Sequence, residues 1–340
     1  MGDLIAVVSA ALWVVTPSAG QPVFTSAIRD VAGGFSSAIA SWNVSTSGDA
    51  WIGVQLRVRV GERWTRWYEM GQWSGALDDG HRHSIAKQSD ADGEVDTDTL
   101  TLRHPASALQ LRAELHASSA GALPRLRLLA VTTDSGAAPA QSGAANADVA
   151  AWGTDLDVPQ LTQRVGSHGG AYGGGGGSWC SPTSVAMVMG YWARRLDKPQ
   201  WAVDVPTAAK GTYDPVYDGC GNWPFNVAYA SEHGLGGYVE RFSSLADVER
   251  LVARGIPVIA SIKVAPGELE GTPYKSTDGH LLVVRGFTEA GDVIVNEPDG
   301  EPGAIRRVYE RDQFAHVWQH GSRGAVYVIA PPADLPAPQS

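Results

Sequence analysis

With only two cysteines in 340 residues, a disulfide-stapled scaffold and a thiolate-rich metal cluster are both excluded, because each needs several. Clustered basic residues are missing as well: 26 Lys and Arg face 36 Asp and Glu, for a formal net charge of -10. Nucleic acid and anionic lipid demand a surface of the opposite sign, so no nucleic-acid partner is expected. Beyond the first twenty residues no apolar run nears the roughly 18 residues that a membrane helix needs, so no membrane span is expected after the start of the chain. No set of four metal ligands stands out, and the reading calls for no metal or cofactor.

What the chain does contain is 44% hydrophobic residues, enough to build more than one core, together with 12 Trp and 40 Gly. That mixture favours strands joined by turns, in two domains. Residues 1–20, "MGDLIAVVSAALWVVTPSAG", hold an apolar stretch from Leu4 to Val15 of signal-peptide length, although Asp3 stands where a basic residue is usual. The expectation is an export signal and a secreted or cell-surface protein.

Residues 21–133 read as an all-β sandwich of jelly-roll-like type. In "WIGVQLRVRVGERWTRWYEMGQW" Val54, Leu56, Val58 and Val60 alternate with Gln55, Arg57 and Arg59, and Gly61-Glu62 turns the chain back; period two marks a half-buried antiparallel sheet. Trp64, Trp67 and Trp73 are either core or a stacking platform for glycan or cell wall, the second partner considered for this domain. The acidic run 89–100 carries Asp90, Asp92 and Asp96 without the spacing or distal Glu of a calcium loop, and reads as a solvated hairpin. An Ala/Gly/Ser/Pro linker follows over 134–152.

From 153 to 332 the pattern changes to α+β, with an eight-residue tail after it. Helices are predicted over Thr183–Leu196 with Pro182 in the first turn, over Trp223–His233 capped by Asn222, and over Leu245–Arg254 with a Ser244/Asp247 capping box. Short strands then follow one another: "PVIASIKV", "HLLVVRGFT", "DVIVNEP", "AIRRVYE" and "AVYVIAP".

Chemistry concentrates at "GGGGGSWCSPTSVAMVMGYW", 173–192. Cys180 stands at the start of the first helix, where free N–H groups and the macrodipole favour a thiolate. His280 opens an apolar strand, and a hairpin through Gly291 returns Asn296 and Glu297 beside it. A nucleophile, a base and a group that orients the base are thereby within reach of one another. Only one of Asn296 and Glu297 can face His280, since neighbours on a strand point to opposite sides.

These segments resemble the C39-like peptidases, relatives of the bacteriocin-leader-processing endopeptidases with a papain-like fold. The likeness rests on "DVPQLTQ" (157–163), "WCSPTSVAMVMGYW" (179–192), "GNWPFNVAYASEHGL" (221–235), "GHLLVVRGFT" (279–288) and "VIVNEP" (293–298), in the family's order. It implies Cys180 as nucleophile, His280 as base and then acid, and Gln163 as an oxyanion donor beside the Cys180 N–H. The family usually has Asn-Asp-Pro where this chain has Asn296-Glu297-Pro298; motif position points to Glu297, and papain-like sites that use Asn keep Asn296 open. The expected activity is cleavage of a peptide or related amide in a peptide or protein substrate. Two alternatives are a Cys-dependent cell-wall amidase or acyltransferase, and a non-catalytic glycan-binding protein with a degenerate peptidase fold. Cys220 is expected free rather than bridged to Cys180, His168 and the glycines 173–177 to form a mobile lip, and His233, His316 and His320 to be surface residues.

Overall fold

A computed structural model describes residues 10–18, 20–77, 80–137, 147–166 and 170–336. The N-terminal half is one ten-stranded antiparallel sheet whose spine runs β1 (Ala10–Val15), β10 (Arg125–Asp134), β3 (Arg29–Ser45), β9 (Thr99–His116), β4 (Trp51–Val60) and β5 (Arg63–Trp64). Strands β2 (Val23–Thr25) and β8 (Gly93–Asp96) also pair with β9, β6 (Tyr68–Trp73) pairs with β4, and β7 (Gln88–Ser89) with β8. Register breaks interrupt the β3–β9 pairing between Asp30 and Phe35 and between Phe35 and Ser37, and all ten strands are hydrogen-bonded as a single sheet. The alternation in β4 places Val54, Leu56 and Val58 in the core as predicted.

Part of the stretch read as an export signal lies in this fold. Ala10–Val15 is an edge strand paired over six residues with β10, and Leu12 is buried; residues 1–9 and His168 lie outside the described residues. The acidic run forms the β7–β8 hairpin, and two of its carboxylates are engaged: Arg66 and the Tyr68 hydroxyl bond Asp90, and Arg63 pairs with Asp92. The tryptophans divide. Trp73 is buried, its indole N–H bonded to Glu232 at 3.0 Å. Trp64 and Trp67 are half-buried with the Arg57 guanidinium 4.8 and 4.6 Å from their ring centroids, and Arg112 lies 4.7 Å from Trp67, so cations already occupy these ring faces.

The C-terminal half is α+β. Its six-stranded antiparallel sheet runs β11 (Gly236–Arg241), β16 (Ala325–Ala330), β12 (Val258–Val264), β13 (Thr277–Phe287), β14 (Val293–Asn296) and β15 (Arg306–Tyr309). Against it lie a distorted turn α1 (Ala171–Gly174) and the helices α2 (Cys180–Arg195), α3 (Val205–Thr212), α4 (Trp223–Glu232), α5 (Leu245–Ala253) and α6 (Arg311–Ser322). The caps are those the sequence announced. Asn222 accepts from the Phe225 N–H, and Ser244 with Asp247 closes a capping box. Strand β11 and helices α3 and α6 were not foreseen: β11 opens on two glycines, and the short apolar stripe of α6, Phe314, Val317 and Trp318, is interleaved with charged and polar residues.

The two halves do not merely share a tether; they share a core. Phe225 of α4 packs edge-on against Trp42 and Trp73 of the β domain, with ring centroids 6.1 and 5.2 Å apart. The Asn43 side chain donates to the Gly237 carbonyl at 2.6 Å and accepts from its N–H at 2.9 Å, as a strand neighbour would. Of the expected linker 134–152, Asp134 closes β10 and residues 149–151 form a helical turn whose Trp152 indole bonds Glu249.

Candidate active site

Cys180 is the first residue of α2 and Pro182 falls within the first turn, where its missing N–H costs nothing. Trp179, at the cap position, makes no side-chain capping bond. The first N–H groups of the helix are thus left without an internal acceptor, and that of Cys180 is among them. Trp179 is fixed from the other side, buried against Val205, Ala209 and Cys220 and donating its indole N–H to the Tyr172 carbonyl at 3.1 Å.

Two of the five glycines, Gly173 and Gly176, pack closely against neighbouring backbone. A Cβ on Gly173 would lie 2.5 Å from the Asp218 carbonyl oxygen and the Gly219 Cα, and one on Gly176 would lie 2.5 Å from the Gln163 carbonyl oxygen. Their lack of side chains is what lets three backbones meet beside the sulfur.

His280 sits on β13 opposite Ile262 of β12, 5% exposed. Its Nε2 meets the Glu297 Oε1 at 2.5 Å, and Cys180 lines the same cleft as His280. The Ser184 hydroxyl donates to the Leu281 carbonyl at 3.3 Å, tying α2 to β13 next to this contact. Burial pulls the His280 pKa down, but the Glu297 carboxylate and the Cys180 sulfur overcome it and hold the imidazole well above its ordinary value.

Glu297 is fully buried and receives four donors. Besides His280 they are the Asp299 N–H at 3.0 Å on Oε1, and the hydroxyls of Tyr309 at 3.1 Å and Tyr274 at 3.2 Å on Oε2. Burial would raise its pKa; the His280 charge and these hydrogen bonds reverse that and lower it. Burial and the same carboxylate raise both tyrosines, which therefore stay protonated donors. The Tyr274 ring lies edge-on to His280, centroids 5.0 Å apart, and shields the pair from water.

Asn296 faces away from the histidine. Its amide donates to the carbonyls of Pro159 at 2.9 Å and Val158 at 3.2 Å and accepts from Arg285 at 3.1 Å. The alternation along β14 sends 296 to the segment that precedes Gln163 and leaves 297 to His280.

Gln163 reaches the cleft, buried, but its Nε2 is engaged: it donates to the Asp299 carboxylate at 2.9 Å and to the Gly177 carbonyl at 3.3 Å. Its Oε1 is buried without a partner. Turning the amide over would set that oxygen against a carboxylate, so the donor end stays where it is. Serving an oxyanion would require Nε2 to give up the longer bond, that to Gly177.

Cys220 is a buried free thiol, and so is Cys180 free, half-buried. Burial pushes the Cys220 thiol up to about 12, and its Sγ bonds the carbonyls of Tyr172 and Ala209. Cys180, His280 and Gln163 line one cleft of about 520 Å³. His316 and His320 are exposed on α6, whereas His233 is half-buried. Among the described residues no three His, Cys, Asp or Glu are grouped so as to hold a metal ion. Sequence reasoning missed Tyr274, Tyr309 and Asp299; only Asp299, two residues past Glu297, carried a signal in its position.

A thiol at the start of a helix, an imidazole on the facing sheet and a buried carboxylate behind it are the parts of a cysteine-peptidase type of site on an α+β scaffold. The chain belongs to the C39-like peptidases: the model of the "Peptidase_C39 like family" matches residues 155–326, just over half the chain, and that of the "Peptidase C39 N-terminal domain" matches residues 20–134. Among solved structures, a candidate C39-like peptidase from Bacillus anthracis is similar at 17% identity and TM-score 0.37, covering 52% of this chain and 96% of that one. Weaker likenesses are to the structure of infectious bursal disease virus Gt strain (12% identity, TM-score 0.19, 37% and 31% of the two chains) and to a family two carbohydrate esterase from Cellvibrio japonicus (12%, TM-score 0.14, 55% and 50%). No curated protein matches the chain.

Proposed function

We propose that the protein is a cysteine peptidase that cleaves a peptide or related amide, with Cys180 as nucleophile, His280 as base and acid, and Glu297 orienting His280. The observation that carries this reading is the 2.5 Å contact between His280 Nε2 and the buried Glu297, in a cleft that Cys180 and His280 line together. A carboxylate so placed fixes the imidazole and favours its protonated form, which is what a thiolate–imidazolium pair needs.

In the first half of the reaction the Cys180 sulfur bonds to the scissile carbonyl carbon, its proton having passed to His280. The carbonyl oxygen, now negative, is held by the Cys180 N–H, with the Gln163 amide as the second donor once it leaves Gly177. His280 then protonates the amine as the C–N bond breaks, leaving a thioester. A water that gives its proton to His280 attacks the thioester, the S–C bond breaks, and the acid is released with the thiol restored. Every step draws on groups of this chain.

The test is hydrolysis of a peptide library by wild type, Cys180→Ala and Cys220→Ser. The reading expects Cys180→Ala to lose all but a trace of turnover and Cys220→Ser to keep it, since Cys220 faces carbonyls of the core. Full hydrolysis by Cys180→Ala would end the proposal.

A further inference from the structure

One wall of the cleft is formed by residues of the loop 214–223, and three points of support for this region come from the N-terminal domain. The Arg82 guanidinium donates to the carbonyls of Lys210 and Gly211 at the end of α3, both at 2.9 Å. The Ser84 N–H donates to Asp214 at 3.0 Å; Asp214 is buried and in turn accepts from the Val216 and Tyr217 N–H groups and from Asn222. Asp98, 7% exposed in the β8–β9 turn, accepts the Trp223 N–H at 2.7 Å and the Thr99 hydroxyl at 2.9 Å. These bonds cross between domains that share a core, so the wall is set by the β domain as firmly as by its own.

What the wall presents is aromatic. Tyr217 is 47% exposed beside an exposed Val216, and both Tyr217 and Trp223 line the cleft that holds the Cys180 sulfur. The Tyr217 ring lies over two glycines: a Cβ on Gly219 would come within 2.5 Å of that ring, and one on Gly221 within 3.2 Å of its hydroxyl. "YDGCGNW" thereby rests one side of a large ring against the backbone and leaves the other open to solvent. An exposed aromatic face next to a nucleophile suits a flat or bulky apolar side chain, which gains by stacking and by leaving water.

We propose that the N-terminal domain completes the substrate cleft: it holds the 214–223 wall so that Tyr217 and Trp223 form a subsite for an aromatic or bulky apolar residue of the substrate, with Asp98 as the positioning residue. The identity of the occupant as part of a peptide rests on the function proposed above; the subsite does not. Asp98 acts on the wall through one charged hydrogen bond to the first turn of α4, the kind of bond whose loss leaves a buried donor unpaired. The Trp223 ring then drifts, and the advantage of an aromatic occupant falls.

The experiment compares alkylation of Cys180 by iodoacetamide with alkylation by N-benzyl iodoacetamide, followed by mass spectrometry on the full chain. Alkylation needs an accessible thiol and no turnover, so its outcome is independent of whether any peptide is hydrolysed. The wild type is expected to react with the benzyl reagent about tenfold faster than with iodoacetamide, the gain of one buried aromatic contact. Asp98→Ala should bring that ratio close to one. Asp98→Asn should restore it, because its side-chain oxygen still accepts from Trp223 while its amide donates to Thr99. Asp98→Ser, polar but too short to reach the Trp223 N–H, carries the test should the Ala chain not fold, and should likewise lose the preference. A wild-type ratio near one, or a ratio that Asp98→Ala or Asp98→Ser leaves unchanged, overturns the proposal; lack of peptide turnover with the ratios as expected overturns only the peptidase reading.

Discussion

Glu297→Gln isolates the charge behind the histidine. Glutamine has the same shape, and the site can accommodate it: its oxygen can keep the His280 and Asp299 donors on one side, while its NH2 faces the hydroxyls of Tyr274 and Tyr309, which can turn to accept. Geometry survives and the negative charge does not. Two unit charges whose centres are roughly 4 Å apart attract by about 4 kcal/mol at the effective dielectric of such sites, equivalent to about a thousandfold in proton affinity. In the wild type His280 is held well above its ordinary value, so the alkaline limb of turnover, where the general acid loses its proton, should lie above pH 6.5. In Glu297→Gln that limb should move down by about 2 to 3 pH units, and kcat/KM at its optimum should fall by about 10²- to 10³-fold. The pair also contributes to stability with a definite sign. The His280 share is complete below about pH 6.5 and is lost as pH rises through its elevated pKa; the Glu297 share, from a lowered pKa, is complete above about pH 4.5 and is lost on acidification below it. Urea unfolding across this range should therefore show in wild type a plateau of extra stability that falls away at both ends, and the variant should lack both that added stability and the two falls. Peptide turnover against pH, with denaturation in parallel, decides the matter: an alkaline limb that stays in place in Glu297→Gln would refute the electrostatic reasoning.

Two further substitutions separate position from chemistry. Gly176→Ala should lower kcat by about 10²-fold with KM little changed, because its Cβ would press on the Gln163 carbonyl oxygen and displace the oxyanion donor, an effect of distance alone; wild-type kcat in this variant would mean that Gln163 has no part in the reaction. Asn296→Ala should destabilise the chain by about 2 to 3 kcal/mol in chemical denaturation, since Arg285 and two backbone carbonyls lose a partner, while the alkaline limb stays where it is; a limb that moves as in Glu297→Gln would make Asn296 the orienting residue.

Much of this architecture was legible in the order of residues. Period-two alternation in 51–60 needs no partner to be recognised, because a strand's two faces meet different solvents wherever it pairs. Pro182, Asn222 and the Ser244/Asp247 pair mark helix starts through interactions within four residues, so Cys180 could be placed at a helix N-terminus without any tertiary knowledge. The choice between Asn296 and Glu297 was half legible. Alternation says that only one can face His280, yet which face His280 occupies depends on the register of β13 against β14, set by packing on α2. The close packing of Gly173 and Gly176 was not legible, because a run of glycine means freedom when nothing touches it and close approach when backbones do, and the neighbours at 163 and 218 are distant in sequence.

The linear code therefore determined the local elements, the change from all-β to mixed α+β patterning along the chain and the residue types able to carry thiol chemistry, since each rests on contacts between near neighbours. The meeting of Cys180, His280 and Glu297, the ring of donors around that carboxylate and the reach of Asp98 across the domain boundary were decided only by the tertiary structure, because each joins segments whose approach is driven by burial of a common core and leaves no mark in the spacing of residues along the chain.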